Sequence, residues 1–122
     1  MILADTSVWI DHLRSGDAEM QKQLNRGQIA THPFVTAELA LGSLKDRARI
    51  LALFDLLPQL PVANIDEVRA MIEARRLYGL GIGLIDAHLI ASIFLTSSTL
   101  LWTRDKQLRA VADKLGIGAG SP

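Results

Sequence analysis

Four short apolar runs punctuate this chain, and none of them alternates polar with apolar residues. They are Met1–Asp5, Gln28–His32, Leu60–Ala63 and Thr99–Thr103. A strand with one wet face reads with a period of two. A strand covered on both faces reads as an unbroken apolar run. Stretches of helical character separate the runs: Ser7–Arg14, Asp17–Arg26, Pro33–Gly42, Asp46–Leu57, Ile65–Tyr78, Leu84–Ser97 and Asp105–Leu115. Ile50, Phe54 and Leu57 share one helical face, as do Val68 and Ile72, and Leu108, Val111 and Leu115. Leu84–Ser97 is apolar nearly all round and should be central. Strands that alternate with helices confine the chain to an α/β fold, a short parallel sheet covered on both faces.

The 122 residues suit one domain, expected over 1–117, with Gly118-Ala-Gly-Ser-Pro122 as a loose, flexible tail at 118–122. Hydrophobic residues make up 49% and mean hydropathy is +0.24, enough apolar material for a core. No cysteine is present, which excludes a disulfide framework and a thiolate metal site and fits a reducing compartment. The first residues lack the basic-then-apolar pattern of a leader. The longest apolar stretch, Leu80–Leu95, contains Asp86 and His88 and falls short of the ~18 clean residues that a membrane span needs. A cytoplasmic protein without membrane contact is the expectation.

Thirteen basic residues balance thirteen acidic ones. A protein that coats nucleic acid is usually basic, so any phosphate partner must be held by local patches. Lys45/Arg47/Arg49, Arg75/Arg76 and Arg104/Lys106/Arg109 are candidates, and each also reads as an ordinary solvated face.

Four acids stand where an apolar chain has no structural need of them. Asp5 closes the first run, and Asp105 follows the last by two residues. Both fall beyond the carboxyl ends of strands, where open α/β sheets bind ligands. Each also reads as a helix cap. Glu38 lies on a helical wheel between Phe34 and Leu41, and Asp86 lies above Ile90 and Ile93. Both are expected to point inward, and acids are rarely buried without a partner. Two like charges ~4 Å apart repel by ~4 kcal/mol at an effective dielectric of about 20. A divalent cation reverses the sign, so the four acids read together as an oxygen-ligand metal site. A salt bridge to an arginine is the plain alternative for Glu38 and for Asp86.

The other polar residues say less. Thr6, Ser7 and Thr103 can cap helices or support a carboxylate, a phosphate or a water through their hydroxyls. His12, His32 and His88 have no ligand spacing, and His88 reads as an ordinary polar position. Gly79-Leu-Gly-Ile-Gly83 lacks both the spacing of a dinucleotide fingerprint and the lysine of a phosphate loop. Trp9, Phe34 and Trp102 read as packing residues, and Asp11 as exposed.

The segments Asp5-Thr-Ser7, Glu38, Gly81-Ile-Gly-Leu-Ile-Asp86-Ala-His-Leu-Ile-Ala91 and Trp102-Thr-Arg-Asp-Lys106, taken in this order, resemble a PIN-domain nuclease. Over nearly the whole chain the pattern is most similar to the VapC toxins of toxin–antitoxin pairs. The resemblance implies a three-layer α/β/α fold and an endoribonuclease dependent on Mg²⁺ or Mn²⁺. Asp5, Glu38, Asp86 and Asp105 match the family's acidic quartet. Asp5 and Asp86 would be direct metal ligands. Glu38 and Asp105 would bind directly, bind through water or orient the nucleophile. Thr103, with Thr6 and Ser7, would support the site. The resemblance further implies an RNA substrate, homodimerisation and inhibition by a VapB-like antitoxin, for which the surface around Trp9 and Asp46–Leu57 is the expected docking face. Hydrolysis would leave a 5′-phosphate and a 3′-hydroxyl.

Two other readings use the same acids. A metal-dependent phosphatase or phosphoacceptor domain also gathers acids at strand ends. It usually wants a second acid two residues beyond its nucleophilic aspartate, where this chain has Ser7. A non-catalytic PIN-like binding module would keep the fold but lose a carboxylate, and none of the four is missing.

Overall fold

The computed structural model describes residues 1–120. Its sheet consists of β1 (Ile2–Ala4), β2 (Ile29–Ala30) and β3 (Leu100–Trp102), in the order β2-β1-β3 with both pairings parallel. Ile2 stands opposite both Ile29 and Leu100, and Ala4 opposite Trp102. Leu3, Ala4, Ile29, Ala30 and Leu101 are buried, so the sheet lies in the core, as continuous apolar runs require.

The edges differ from expectation. Leu60–Ala63 forms no strand. The pairing moves to Gln59, which makes a single parallel bridge with Thr31. Thr31 N–H donates to the Pro58 carbonyl at 2.8 Å, and Leu60 N–H donates to that of Thr31 at 2.9 Å. Pro58 and Pro61 have no N–H to offer, so the ladder cannot run on. On the other edge, Gly118 bridges Leu101. Leu101 N–H donates to Ile117 at 2.7 Å, and Ala119 N–H donates to Leu101 at 2.8 Å. The start of the expected tail is therefore hydrogen-bonded into the sheet, while Ser121 and Pro122 lie outside the described residues.

Seven helices flank the sheet among the described residues: α1 (Thr6–Ser15), α2 (Ala18–Asn25), α3 (Pro33–Ala40), α4 (Arg47–Leu56), α5 (Ile65–Arg75), α6 (Leu84–Phe94) and α7 (Lys106–Lys114). The result is a three-layer α/β/α fold. Helix α6 is buried continuously from Ala87 to Ile93, which explains its apolar circumference. Helix α5 starts in a capping box of Asn64 and Glu67. It ends earlier than its periodicity predicts, because Arg76 turns left-handed (φ +54°) and delivers Leu77 into the core. Among the described residues, no helix is long and apolar enough to cross a membrane.

Candidate active site

Because β1 and β3 are parallel neighbours, their carboxyl ends lie side by side, and the residues just beyond them meet. Asp5 N–H donates to the Trp102 carbonyl at 3.0 Å. Asp5 is 5% exposed and caps α1, accepting from Ser7 N–H at 3.0 Å. Its second oxygen accepts from the Thr103 hydroxyl at 2.6 Å, and the Ser7 hydroxyl donates to its first. Thr103 Oγ1 accepts in turn from Asp105 N–H at 3.1 Å, and Ser7 Oγ from Arg104 N–H at 3.0 Å. Asp105 caps α7 through Leu108 N–H at 2.9 Å. The capping reading and the site reading of Asp5 and Asp105 are thus compatible. One carboxylate oxygen of each takes the helix end, and the second Asp5 oxygen is held by Thr103 beyond the strand ends. Thr6, the first residue of α1, lines a groove with Glu38.

Helices α3 and α6 bring the other two acids. Asp86, half-buried in the first turn of α6, accepts from Gly83 N–H at 3.2 Å. Burial raises its pKa, that hydrogen bond opposes the rise, and the charges of Asp5 and Asp105 add to it. Glu38 is also raised, first by burial and then by the charges of Asp86 and Asp5. The fields of all four acids therefore overlap at one end of the sheet. Among the described residues, no group of three or more acidic or histidine side chains stands close enough together to hold a metal ion. The four acids themselves offer only oxygen donors.

Two expectations about these helices change. Glu38 is exposed, and its wheel neighbour Leu41 is 89% exposed, so that face of α3 opens to solvent rather than to the core. Ile90 and Ile93 are buried below Asp86 as expected. His88 is not an ordinary polar position. It is 6% exposed, its Nδ1 has no hydrogen-bond partner among the described residues, and its ring meets Phe34 edge-on at 4.7 Å.

Two residues of this region escaped the sequence reading. His32 is fully buried and caps α3, with Nδ1 accepting from Phe34 N–H at 3.0 Å. That bond leaves the proton on Nε2, which donates to Ser92 Oγ on α6 at 2.9 Å. His32 thus ties the helix of Glu38 to the helix of Asp86. The only signal was its place before Pro33, a residue favoured in the first helical turn. Arg104 was grouped with a basic patch. Instead its guanidinium joins Asp11 on α1 and Asp17, the cap of α2. The two carboxylates raise the pKa of Arg104. The Asp17 pKa is lowered by the Met20 N–H bond and then by Arg104.

Comparison with known proteins gives the same reading. The chain matches the family model described as PIN domain over residues 2–114. It is 47% identical over 117 residues to Ribonuclease VapC32 of Mycobacterium tuberculosis, in both strain CDC 1551 / Oshkosh and strain ATCC 25618 / H37Rv. Those alignments cover 96% of this chain and 94% of each relative. A match that spans both parallel crossovers and all four acids shows that the chain belongs to the PIN-domain family.

Proposed function

We propose that this chain is a VapC-type toxin, an endoribonuclease dependent on Mg²⁺ or Mn²⁺ and silenced by a VapB-like antitoxin. The observation that supports the metal dependence is the gathering of four carboxylates at the carboxyl end of the sheet, with Glu38 and Asp86 both raised, first by burial and then by the charges of their acidic neighbours. The choice of RNA rests on the relatives named as ribonucleases.

The donor set fits the proposed ion. A hard cation prefers oxygen, and Mg²⁺ commonly keeps several waters and takes one or two carboxylates, so an open cluster of acids suits it better than a closed cage. Asp5 and Asp86 would hold the ion, with Glu38 and Asp105 bound directly or through water. When bound, the ion supplies a more acidic water and charge neutralisation at the phosphate. The Ser7 and Thr103 hydroxyls fix the Asp5 carboxylate so that it need not reorganise. Glu38, exposed at the rim of its groove, orients the attacking water. Water adds to phosphorus, the P–O3′ bond breaks, and a 5′-phosphate and a 3′-hydroxyl result.

Asp5→Asn and Asp86→Asn test this reading. Asparagine keeps an oxygen for the caps at Ser7 and Gly83 and removes a charge. Each variant should cleave RNA more than ~100-fold more slowly, beyond the ~10–100-fold that a supporting residue commands. In metal-free buffer at pH 7, Asp86→Asn should also melt at a higher temperature than the wild type. A carboxyl whose folded pKa is raised stabilises the fold below its unfolded pKa, and that stabilisation is lost as pH rises through the folded value. Chelator should abolish cleavage, and Mg²⁺ or Mn²⁺ should restore it. Full activity of a folded Asp5→Asn/Asp86→Asn protein, or of a metal-stripped wild type, would refute the proposal.

A further inference from the structure

Arg104 stands between two residues of the acid cluster, Thr103 and Asp105, yet its own side chain turns away from them. Nη1 meets Asp11 on α1, and Nη2 meets Asp17 at the start of α2. These are two of the three ion pairs among the described residues, and the third, Arg49 with Asp46, lies in a solvated helical turn. The guanidinium also lies 5.7 Å from the Trp102 ring centroid, within cation–π range. Behind it the anchors are themselves held. Asp17 accepts from Met20 N–H at 2.8 Å, and Asp17 N–H donates to His12 Nδ1 at 3.0 Å. The Arg104 N–H donates to Ser7 Oγ at 3.0 Å.

A connection of three residues between a strand and a helix has few restraints of its own. Thr103–Asp105 is fastened to the start of α1 by the Thr103 hydroxyl at Asp5 and the Arg104 N–H at Ser7, and the Arg104 side chain adds a third tie at Asp11, one turn further along the helix. Since Asp5 caps α1, a rotation of this connection against α1 changes the separation of Asp5 and Asp105. The guanidinium fork matches two carboxylates in a fixed plane, which a lysine ammonium cannot do. Nη1 and Nη2 are both engaged by carboxylates, so an RNA phosphate would have to compete with Asp11 and Asp17 for them.

We propose that Arg104 is a positioning residue, a clasp that holds Thr103 and Asp105 in register with Asp5 through Asp11 and Asp17. The proposal rests on the metal-nuclease reading above, and it concerns the geometry of the cluster rather than contact with substrate.

The test compares Arg104→Ala, Arg104→Lys and the double variant Asp11→Asn/Asp17→Asn with the wild type. Mn²⁺ affinity is measured by electron paramagnetic resonance on the full chain, and kcat and KM on a single-stranded RNA. Arg104→Ala should bind Mn²⁺ about 10-fold more weakly and lose kcat by about 10–100-fold, the range for a residue acting through a metal ligand, with KM nearly unchanged. Arg104→Lys, which satisfies one carboxylate, should fall between. Asp11→Asn/Asp17→Asn should reproduce Arg104→Ala, and combining all three changes should cause no further loss. If Arg104→Ala does not fold, the lysine variant and the double variant carry the same comparison. A folded Arg104→Ala protein with wild-type Mn²⁺ affinity and kcat would overturn the proposal. So would a raised KM at constant kcat, which would make Arg104 an RNA contact. Failure of the wild type to bind Mn²⁺ or to cleave RNA would instead refute the nuclease reading on which the clasp depends.

Discussion

Thr103 donates to Asp5 and accepts from Asp105, so one hydroxyl couples two acids contributed by opposite ends of the chain. It is 4% exposed, so neither bond can be replaced by bulk water. Thr103→Val keeps the shape and removes the hydroxyl, leaving Asp5 short of a donor and Asp105 N–H without an acceptor. The expected cost is about 1–3 kcal/mol of stability for the unsatisfied groups. Cleavage should fall by about 10–100-fold, and Thr103→Ser should retain most of it. Melting curves and initial rates on one RNA check both figures, and a valine variant as active as the serine variant would show that the hydroxyl is dispensable. The acids themselves could be picked out in the sequence because Glu38 and Asp86 interrupt apolar helical stretches and Asp5 and Asp105 follow apolar strand runs. The bonds that join them could not, because Asp5 and Thr103 are 98 residues apart and meet only through the pairing of β1 with β3. Arg104 shows the same limit. Its charge is plain in the sequence, but the carboxylates that claim it, Asp11 and Asp17, belong to helices brought near by the sheet.

Elements were legible where periodicity and a cap agree, as in α7, or where an apolar circumference marks a buried helix, as in α6, and less so where pairing decides. The run Leu60–Ala63 has the composition of a strand, but two prolines leave it one bridge. Gly118 and Ala119 have the composition of a tail, but the open edge of β3 captures them. The link between α3 and α6 was hidden for a different reason: a histidine is an uncommon cap, and its partner Ser92 sits in an otherwise apolar helix. That link makes the packing of these helices sensitive to acid. Burial, and secondarily the nearby His88, lower the His32 pKa from 6.5 to about 4. The neutral form is therefore favoured by folding, and its contribution is complete above the unfolded pKa and lost as pH falls from about 6.5 towards 4. The full difference amounts to about 3 kcal/mol. Glu38 and Asp86, both raised, act in the opposite direction over part of this range, so the histidine is best isolated by difference. His32→Asn supplies another good capping acceptor and does not titrate. Urea unfolding at intervals from pH 7.5 to 4.5 should show the wild type losing stability relative to His32→Asn by roughly that amount. Parallel pH profiles for the two proteins would mean that His32 is not held neutral by the fold.

At the scale of the whole molecule, the active end of the sheet continues into a surface that suits a protein inhibitor. The groove that begins at Thr6 and Glu38 shares Ile10, Arg14 and Leu39 with a neighbouring cavity of about 440 Å³ that runs on to Lys45 and Arg49. Ile10 (44% exposed) lines both, and Leu53 (49%) and Leu56 (81%) stand exposed further along α4. Trp9, which the sequence reading placed on such a face, is 3% exposed and packs edge-on against Phe54 at 4.5 Å, because it belongs to the core beneath α4. An inhibitor helix that laid apolar residues along this groove could present an arginine to the acids at its inner end, where guanidinium pairs with carboxylate in the absence of metal. Homodimerisation is part of the same VapC reading, and Phe94 and Leu95 beside the alanine-lined cleft between α5 and α6 offer a face for it away from the acids. Expressed alone, the wild type should arrest growth, and co-expression of a VapB-like partner should restore it. Asp5→Asn should be harmless yet still co-purify with that partner, since it removes one charge of several. Leu56→Glu together with Ile10→Glu should keep nuclease activity and lose rescue. Light scattering on the purified toxin and on the complex reports the number of copies in each, with two toxin chains expected. Equal growth arrest by the wild type and Asp5→Asn would separate toxicity from cleavage. Undiminished rescue of the glutamate double variant would move the antitoxin to another face.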